Sequence, residues 1–314
     1  MSHKLLPVFS FLMKSRKLRA ICNALGDPRF LLSILPTLWL VVFFVFSFLI
    51  IVKTSFSEAI LGIPPFSEIY SWTADNLLEI KLNIQNYIVI LKDSYYVNAF
   101  VNSIYLNIIS TTLCCGLGFV MAYGIYNSRA NLRGPLLFLV SLSFWTSFLI
   151  RVYAWINMLS AHGIINSFLI KIGLIDLPIH FTGNYYAVCV GLVFCYLPFA
   201  IFPMYSTLDK IDRSCMEAAN DLGCGLVRTF WTVLVPLSRR GMISGYFMVF
   251  AASFGDFVIP ELLGGSDTLT FGRILWIEFF NNLDWPVACA ISVIMMVIVA
   301  LPIFLLGSKS IALR

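Results

Sequence analysis

The sequence predicts an all-α membrane protein with six transmembrane helices. Of its 314 residues, 60% are hydrophobic and only 12% are charged, against about 25% charged in an ordinary soluble domain. The apolar residues form continuous runs instead of alternating with polar residues, which favours helices over the strands of a membrane barrel. The runs are 30–52, 99–126, 135–159, 184–206, 241–263 and 285–307.

Lysine and arginine are unevenly distributed among the segments that flank these runs. Six lie in 1–29, two in 127–134, five in 207–240 and two in 308–314, whereas the other connecting segments hold five. Because segments rich in these residues stay in the cytoplasm, both termini and the 207–240 loop are predicted to be cytoplasmic. A single membrane domain, 30–307, is expected between the amino-terminal segment and the tail.

Proline and glycine are placed as membrane helices tolerate them. Pro36 lies near the start of the first run, where a missing amide donor costs little, and Pro286 lies in the first turn of the sixth. In the second run, Gly116 and Gly118 favour close helix packing. The long segment 53–98 is expected to hold short surface helices.

The eight cysteines and three histidines show no metal-ligand spacing, so the sequence predicts no metal site. The phosphate-binding pattern G-x-x-x-x-G-K-[ST] does not occur either. If a nucleotide drives this protein, another chain therefore binds it. The chain is expected to be neither an enzyme nor a nucleic-acid-binding protein.

Two ionisable residues lie deep inside the apolar runs. Arg151 is about 24 Å along the third run and Asp256 about 22 Å along the fifth, by the helical rise, with Glu261 near the end of the fifth. A charge in hydrocarbon is costly unless a partner or a transport pathway requires it. One interpretation is an ion pair between Arg151 and Asp256, either structural or part of a gate.

The 207–240 loop contains a short amphipathic pattern. Met216, Ala219 and Leu222 share one helical face, and Glu217 lies on another. An exposed helix with a small apolar face requires a binding partner.

A longer pattern in the same loop resembles a known family. After Glu217-Ala218-Ala219, three residues intervene before Gly223, and nine more before Val233-Leu234-Val235-Pro236. This resembles the cytoplasmic loop of permease subunits of binding-protein-dependent ABC importers, with valine where the family has isoleucine and leucine. The resemblance implies the MetI-like fold of type I importers. It also implies contact with an ATPase through Glu217, Ala218, Ala219, Asp221, Gly223 and Pro236, where Glu217 accepts hydrogen bonds at the helix start and Gly223 ends the helix.

Three further segments are similar to the polyamine branch of that family, especially to putrescine permease subunits. They are Phe144–Trp155, Asp256–Leu269 and Glu278–Pro286. The implied complex has two permease subunits, two ATPase subunits that bind ATP and magnesium, and a periplasmic or lipid-anchored polyamine-binding protein. The implied location is the inner cell membrane and the implied substrate is putrescine, with spermidine next.

Polyamines require carboxylates and aromatic faces along their pathway. Asp256 and Glu261 are the candidate carboxylates, and Trp145, Tyr153 and Trp155 the candidate aromatic walls. The alternative is that these aromatic residues form an interface belt.

Another cationic solute, or an ion-driven carrier, stays open as a function, although no inverted repeat is visible. The acidic residues of the outer segments are expected to be solvated or to dock the binding protein: Glu58, Glu68, Asp75, Glu79, Asp93, Glu278 and Asp284.

Overall fold

The computed structural model describes residues 28–311 except 61, 68–69, 73–77, 81, 213 and 267. Residues 1–27 of the predicted amino-terminal segment (1–29) and 312–314 of the predicted tail (308–314), with Glu68 and Asp75, therefore lie outside the described residues. Helices dominate what is described, which confirms the predicted class. They are α1 (Pro28–Leu40), α2 (Phe46–Ser55), α3 (Gln85–Lys92), α4 (Ser94–Asn127), α5 (Ala130–Trp145), α6 (Phe148–Leu159), α7 (Ile164–Lys171), α8 (Tyr185–Leu208), α9 (Ser214–Asp221), α10 (Leu226–Thr229), α11 (Val235–Phe254), α12 (Val258–Leu263), α13 (Phe271–Trp276) and α14 (Trp285–Ile311).

Three π-helical turns and one hairpin complete the described elements. The π turns are Val41–Val45 between α1 and α2, Phe230–Leu234 between α10 and α11, and Ile277–Asn281 after α13. The hairpin pairs β1 (Tyr70–Trp72) with β2 (Leu78–Ile80) in antiparallel register. It is an addition to the helical fold that the apolar runs do not predict.

Five helical segments of the described chain are long and apolar enough to cross a membrane. They are Ile34–Ser55, Ser94–Asn127, Phe148–Lys171, Tyr185–Leu208 and Trp285–Pro302. The predicted fifth run is not among them, because it is divided between α11, which ends at Phe254, and α12, which begins at Val258; α11 also contains Arg239 and Arg240.

The predicted third run is also divided. A break at Thr146 and Ser147 separates α5 from α6, and the extended backbone of Thr146 ends α5. At the end of the chain, α14 continues to Ile311, so the helix extends beyond the predicted boundary at residue 307.

The centre of the bundle consists of α4, α8 and α11. Close approach of α4 to α8 depends on Gly118, where an added Cβ atom would lie 2.7 Å from the Cβ of Ala200. The predicted packing role is therefore confirmed for Gly118. It is wrong for Gly116, which faces open space.

The two ends of this bundle carry the residues of functional interest. At one end, α9 lies beside the continuous helix formed by α10, its π turn and α11. At the far end of that helix, the chain breaks after Phe254 and begins again at Val258 as α12. Asp256 lies in this break, so one helix connects the two regions.

Candidate functional site

The start of α9 is capped by Asp212. Its Oδ1 atom accepts a hydrogen bond from the amide of Ser214 at 3.1 Å. Hydrogen bonds from Ser214 lower the pKa of the Asp212 carboxyl, because they stabilise its charged form. The family resemblance implies this acceptor role for Glu217, but its carboxylate is exposed and makes no hydrogen bond in the described part of the chain. That prediction is corrected: Asp212 is the cap.

The end of α9 is fixed by Gly223, which has a φ of 79°. The Gly223 amide donates to the Asn220 carbonyl at 2.9 Å, and the Cys224 amide donates to the Ala219 carbonyl at 3.0 Å. These two bonds form a Schellman motif, in which a left-handed residue satisfies the last carbonyls of a helix. The prediction that Gly223 ends the helix is confirmed.

The outward surface of α9 differs from the predicted apolar face. Ala219 is buried, whereas Leu222 is 85% exposed. Glu217, Ala218 and Asp221 are exposed as well, and so is Pro236 in the first turn of α11. The described chain thus leaves α9 with a mixed acidic and apolar surface.

Thr229 connects α9 to the long helix. Its Oγ1 atom lies 3.3 Å from Asn220 Oδ1 and 3.4 Å from the Cys224 carbonyl oxygen. The Thr229 side chain is buried. Sequence reasoning missed this residue, because one threonine in a polar loop carries no periodic or motif signal.

Asp256 is held by donors from two elements. Its Oδ1 atom accepts from the amide of Val258, the first residue of α12, at 2.9 Å, and its Oδ2 atom accepts from the Tyr196 hydroxyl at 3.2 Å. Asp256 lines a small cavity together with polar residues, among them Asn107 and Ser253, and apolar residues, among them Leu106 and Phe254. A carboxylate in a break between helices can bind a cation without disturbing a continuous helix.

Arg151 does not pair with Asp256. Its Nη1 atom donates to Ser143 Oγ at 2.9 Å and lies 3.5 Å from the Cys195 carbonyl oxygen. Among the described ion pairs none joins the two residues, so the predicted Arg151–Asp256 pair is wrong. The physical reason lies in α8, where Cys195 binds the guanidinium and its neighbour Tyr196 binds the carboxylate.

Glu261 forms an ion pair with Arg273, with 2.5 Å between Oε2 and Nε. Arg273 also donates to the Gly265 carbonyl at 2.8 Å. Glu261 is exposed, so its carboxylate reaches solvent while paired. In the sequence, Arg273 is one of the five basic residues of the other connecting segments, and nothing there indicates this pair.

The three predicted aromatic residues do not surround Asp256. Trp145 is 81% exposed, Tyr153 is also exposed, and Trp155 packs against Phe194 with ring centres 4.3 Å apart. The described hydrogen bonds and ring contacts link none of the three to Asp256.

Other aromatic residues contact Asp256 or lie next to it in the chain. Phe257, next to Asp256 in the chain, stacks on Trp276 with ring centres 4.3 Å apart and an angle of 9°, and Tyr196 binds the carboxylate directly. In the sequence, the only indication of this aromatic group is that Phe257 directly follows Asp256.

Glu278 is buried, contrary to its predicted solvation. Only 6% of it is exposed, and its two oxygens accept hydrogen bonds from the Tyr96 hydroxyl at 2.9 Å and from Asn282 Nδ2 at 2.8 Å. The π turn Ile277–Asn281 brings it against α4. The pattern of charged and apolar residues around Glu278 does not predict its contact with α4.

Comparison with known proteins identifies a family. Residues 29–308 match the model of the family described as binding-protein-dependent transport system inner membrane component. The chain is 34% identical over 265 residues to the spermidine/putrescine transport system permease protein PotB of Escherichia coli, covering 84% of this chain and 90% of that protein. It is 36% identical over 229 residues to the protein of the same name from Haemophilus influenzae, covering 73% and 80%.

Solved structures share the fold. A chain of a bacterial ABC transporter involved in the import of the acidic polysaccharide alginate gives a TM-score of 0.72 at 14% identity, covering 93% of this chain and 98% of that one. A chain of the MetNI methionine ABC transporter in an inward-facing conformation gives 0.51 at 16% identity, covering 69% and 95%.

Proposed function

We propose, because this chain belongs to the family of binding-protein-dependent transport system inner membrane components, that it is the permease subunit of an ATP-driven polyamine importer. The observation that carries the proposal is the sequence identity to two spermidine/putrescine permease proteins, which extends over 84% and 73% of this chain. Putrescine is the first proposed substrate and spermidine the second. The chain is a multi-pass inner-membrane protein, and we propose cytoplasmic positions for both of its termini, in agreement with its lysine and arginine distribution.

The proposed partners are two ATPase subunits, a second permease subunit and a polyamine-binding protein. ATP and magnesium are assigned to the ATPase subunits, since this sequence contains no phosphate-binding loop. The contact surface for the ATPase is α9, with Glu217, Ala218 and Asp221 exposed at it. Ala219 supports the helix from its buried side.

The structure supports a mechanical route from α9 to Asp256. Capping by Asp212 and Gly223 fixes both ends of α9, and Thr229 ties it to the next helix. From residue 226 to residue 254 the chain is helical, a length of about 43 Å by the rise per residue. When closure of the ATPase pair moves α9, the continuous helix 226–254 therefore moves with it as a rigid body. This movement displaces the break that contains Asp256.

The proposed substrate pathway is centred on Asp256. A terminal ammonium group can donate to the Asp256 carboxylate in place of the Tyr196 hydroxyl and approach the rings of Phe257 and Trp276. Glu261 is proposed as the outer carboxylate, since it is exposed even in its ion pair. Trp145, Tyr153 and Trp155 are proposed as aromatic walls of the pathway at points other than Asp256, where Trp145 and Tyr153 expose their rings.

Uptake into vesicles tests the proposal. The complete complex is reconstituted, and labelled putrescine and spermidine are supplied with the binding protein. Uptake of either should require ATP, and the purified chain alone should not hydrolyse ATP. Asp256→Asn should reduce uptake more than Arg151→Ala, because the two residues are not partners. Uptake of another solute to the exclusion of both polyamines would refute the substrate assignment.

A further inference from the structure

Along one face, α4 carries polar side chains that bind the segment 250–282. Asn107 donates to the Phe250 carbonyl at 3.1 Å, Ser103 Oγ accepts from the Phe271 amide at 2.6 Å, and Tyr96 donates to Glu278. All three α4 residues are buried. Their contacts fix the end of α11, the start of α13 and the π turn that follows α13.

Glu278 is the exceptional member of this set because it is a buried acid. Each of its oxygens accepts from one neutral donor, Tyr96 or Asn282, and no ion pair of the described residues includes it. Burying a carboxylate is costly unless hydrogen bonds compensate for the lost water. An apolar side chain could fill the same space at lower cost, whereas the carboxylate defines a position through two directed bonds.

The π turn is coupled to the Asp256 break by aromatic contacts. Trp276, two residues before Glu278, stacks on Phe257, which follows Asp256 in the chain. At the other end of α13, Phe271 packs edge-on against Phe100 of α4 with ring centres 5.4 Å apart. A shift of the π turn along α4 therefore changes the position of Trp276 and with it the backbone at Asp256.

We infer that Glu278 is a positioning residue of the polyamine pathway. It holds the π turn on Tyr96 and thereby orients Asp256 through Trp276 and Phe257. This inference rests on the proposed function, since the pathway centred on Asp256 belongs to it. Glu278 itself does not contact the substrate in this arrangement.

The test uses the complete reconstituted complex and the variant Glu278→Gln. Glutamine has the size of glutamate but only one acceptor oxygen. Its amide nitrogen therefore faces one of the two donors, Tyr96 or Asn282, and cannot accept that hydrogen bond. Polyamine uptake should fall about fivefold, the effect of losing one hydrogen bond, while the rate of ATP hydrolysis changes less than twofold. Asp176→Asn, at an exposed acid that is not among those expected to dock the binding protein, is the matched control and should keep wild-type uptake.

A rescue separates positioning from general loss of folding. In the double variant Glu278→Gln/Asn282→Asp, the glutamine amide can donate to the new carboxylate while its oxygen accepts from Tyr96, so uptake should return to within about twofold of wild type. Tyr96→Phe, which removes only the hydroxyl, should resemble Glu278→Gln.

Hydrogen exchange of the 271–281 amides in the same complex gives a readout that does not need the substrate. Faster exchange in Glu278→Gln is expected. Unchanged exchange, or a double variant no better than the single one, would overturn the inference. Absence of polyamine uptake by the wild-type complex would instead overturn the proposed function.

Discussion

Thr229 Oγ1 lies 3.3 Å from Asn220 Oδ1 and joins the exposed helix α9 to the long helix that ends beside Asp256. The bond bridges the Schellman turn at Gly223, and the same hydroxyl lies 3.4 Å from the Cys224 carbonyl oxygen. A short helix attached only by its two loops could tilt when a partner pulls on it. Thr229 adds a third attachment, so we expect α9 and α10 to move together.

Thr229→Val should weaken the coupling of ATP hydrolysis to uptake. Valine keeps the shape but removes the donor, a loss of about 1 kcal/mol, or about fivefold in an equilibrium. Uptake per ATP hydrolysed by the reconstituted complex is therefore expected to fall several-fold. Thr232→Val is the control, because Thr232 is exposed and, among the described residues, its hydroxyl donates only to the Arg228 carbonyl of its own helix. Equal uptake per ATP in both variants would contradict the role of Thr229.

Gly223→Ala should loosen the end of α9. A side chain at a φ of 79° costs about 1 to 2 kcal/mol, so amide exchange across 214–224 should accelerate and uptake should decrease. Gly225→Ala is the matched control, since Gly225 lies two residues on, in open space, without a left-handed backbone. Similar exchange rates in the two variants would show that the Schellman turn does not limit the stability of α9.

The Asp212 cap predicts a pH dependence of α9. The folded-state pKa of Asp212 is lowered, so its contribution to stability is present above the unfolded pKa, about 4, and is lost as the pH falls through the lower folded pKa. Amide exchange in α9 should therefore be faster in Asp212→Ala than in wild type at pH 6. After correction for intrinsic exchange rates, the difference should shrink below pH 4. A difference independent of pH would mean that the carboxylate charge is not what caps the helix.

The sequence predicts the helical class and α9 because both depend on local patterns. Apolar runs indicate which segments prefer lipid, and the spacing from Glu217 to Gly223 predicts a helix that ends at a left-handed residue. The breaks at Thr146 and at Asp256 lie inside apolar runs. Hydropathy does not register them, because it carries no information on backbone hydrogen bonds.

The error at Arg151 and Asp256 has a geometric origin. Equal depth along two helices was the reason to pair them, yet depth says nothing of the direction in which each side chain points around its helix. In the structure, α8 presents Cys195 to one residue and Tyr196 to the other. Glu278 was misjudged for a related reason, since its burial depends on Tyr96, which lies 182 positions away in the chain.

Gly118→Ala should destabilise the bundle, whereas Gly116→Ala should not. An alanine Cβ at position 118 would lie 2.7 Å from the Cβ of Ala200, and the next nearest atoms are backbone atoms of α8, so the two helices must separate. Overpacking of this kind costs about 1 to 3 kcal/mol. At position 116 the same methyl group meets nothing within 4 Å, and helix propensity favours alanine over glycine. Thermal unfolding of the purified variants in detergent should therefore give a lower midpoint for Gly118→Ala and an equal or higher one for Gly116→Ala. Equal midpoints would mean that α4 and α8 separate at no cost, which the burial of Cys114 and Ala122 on either side of Gly118 argues against.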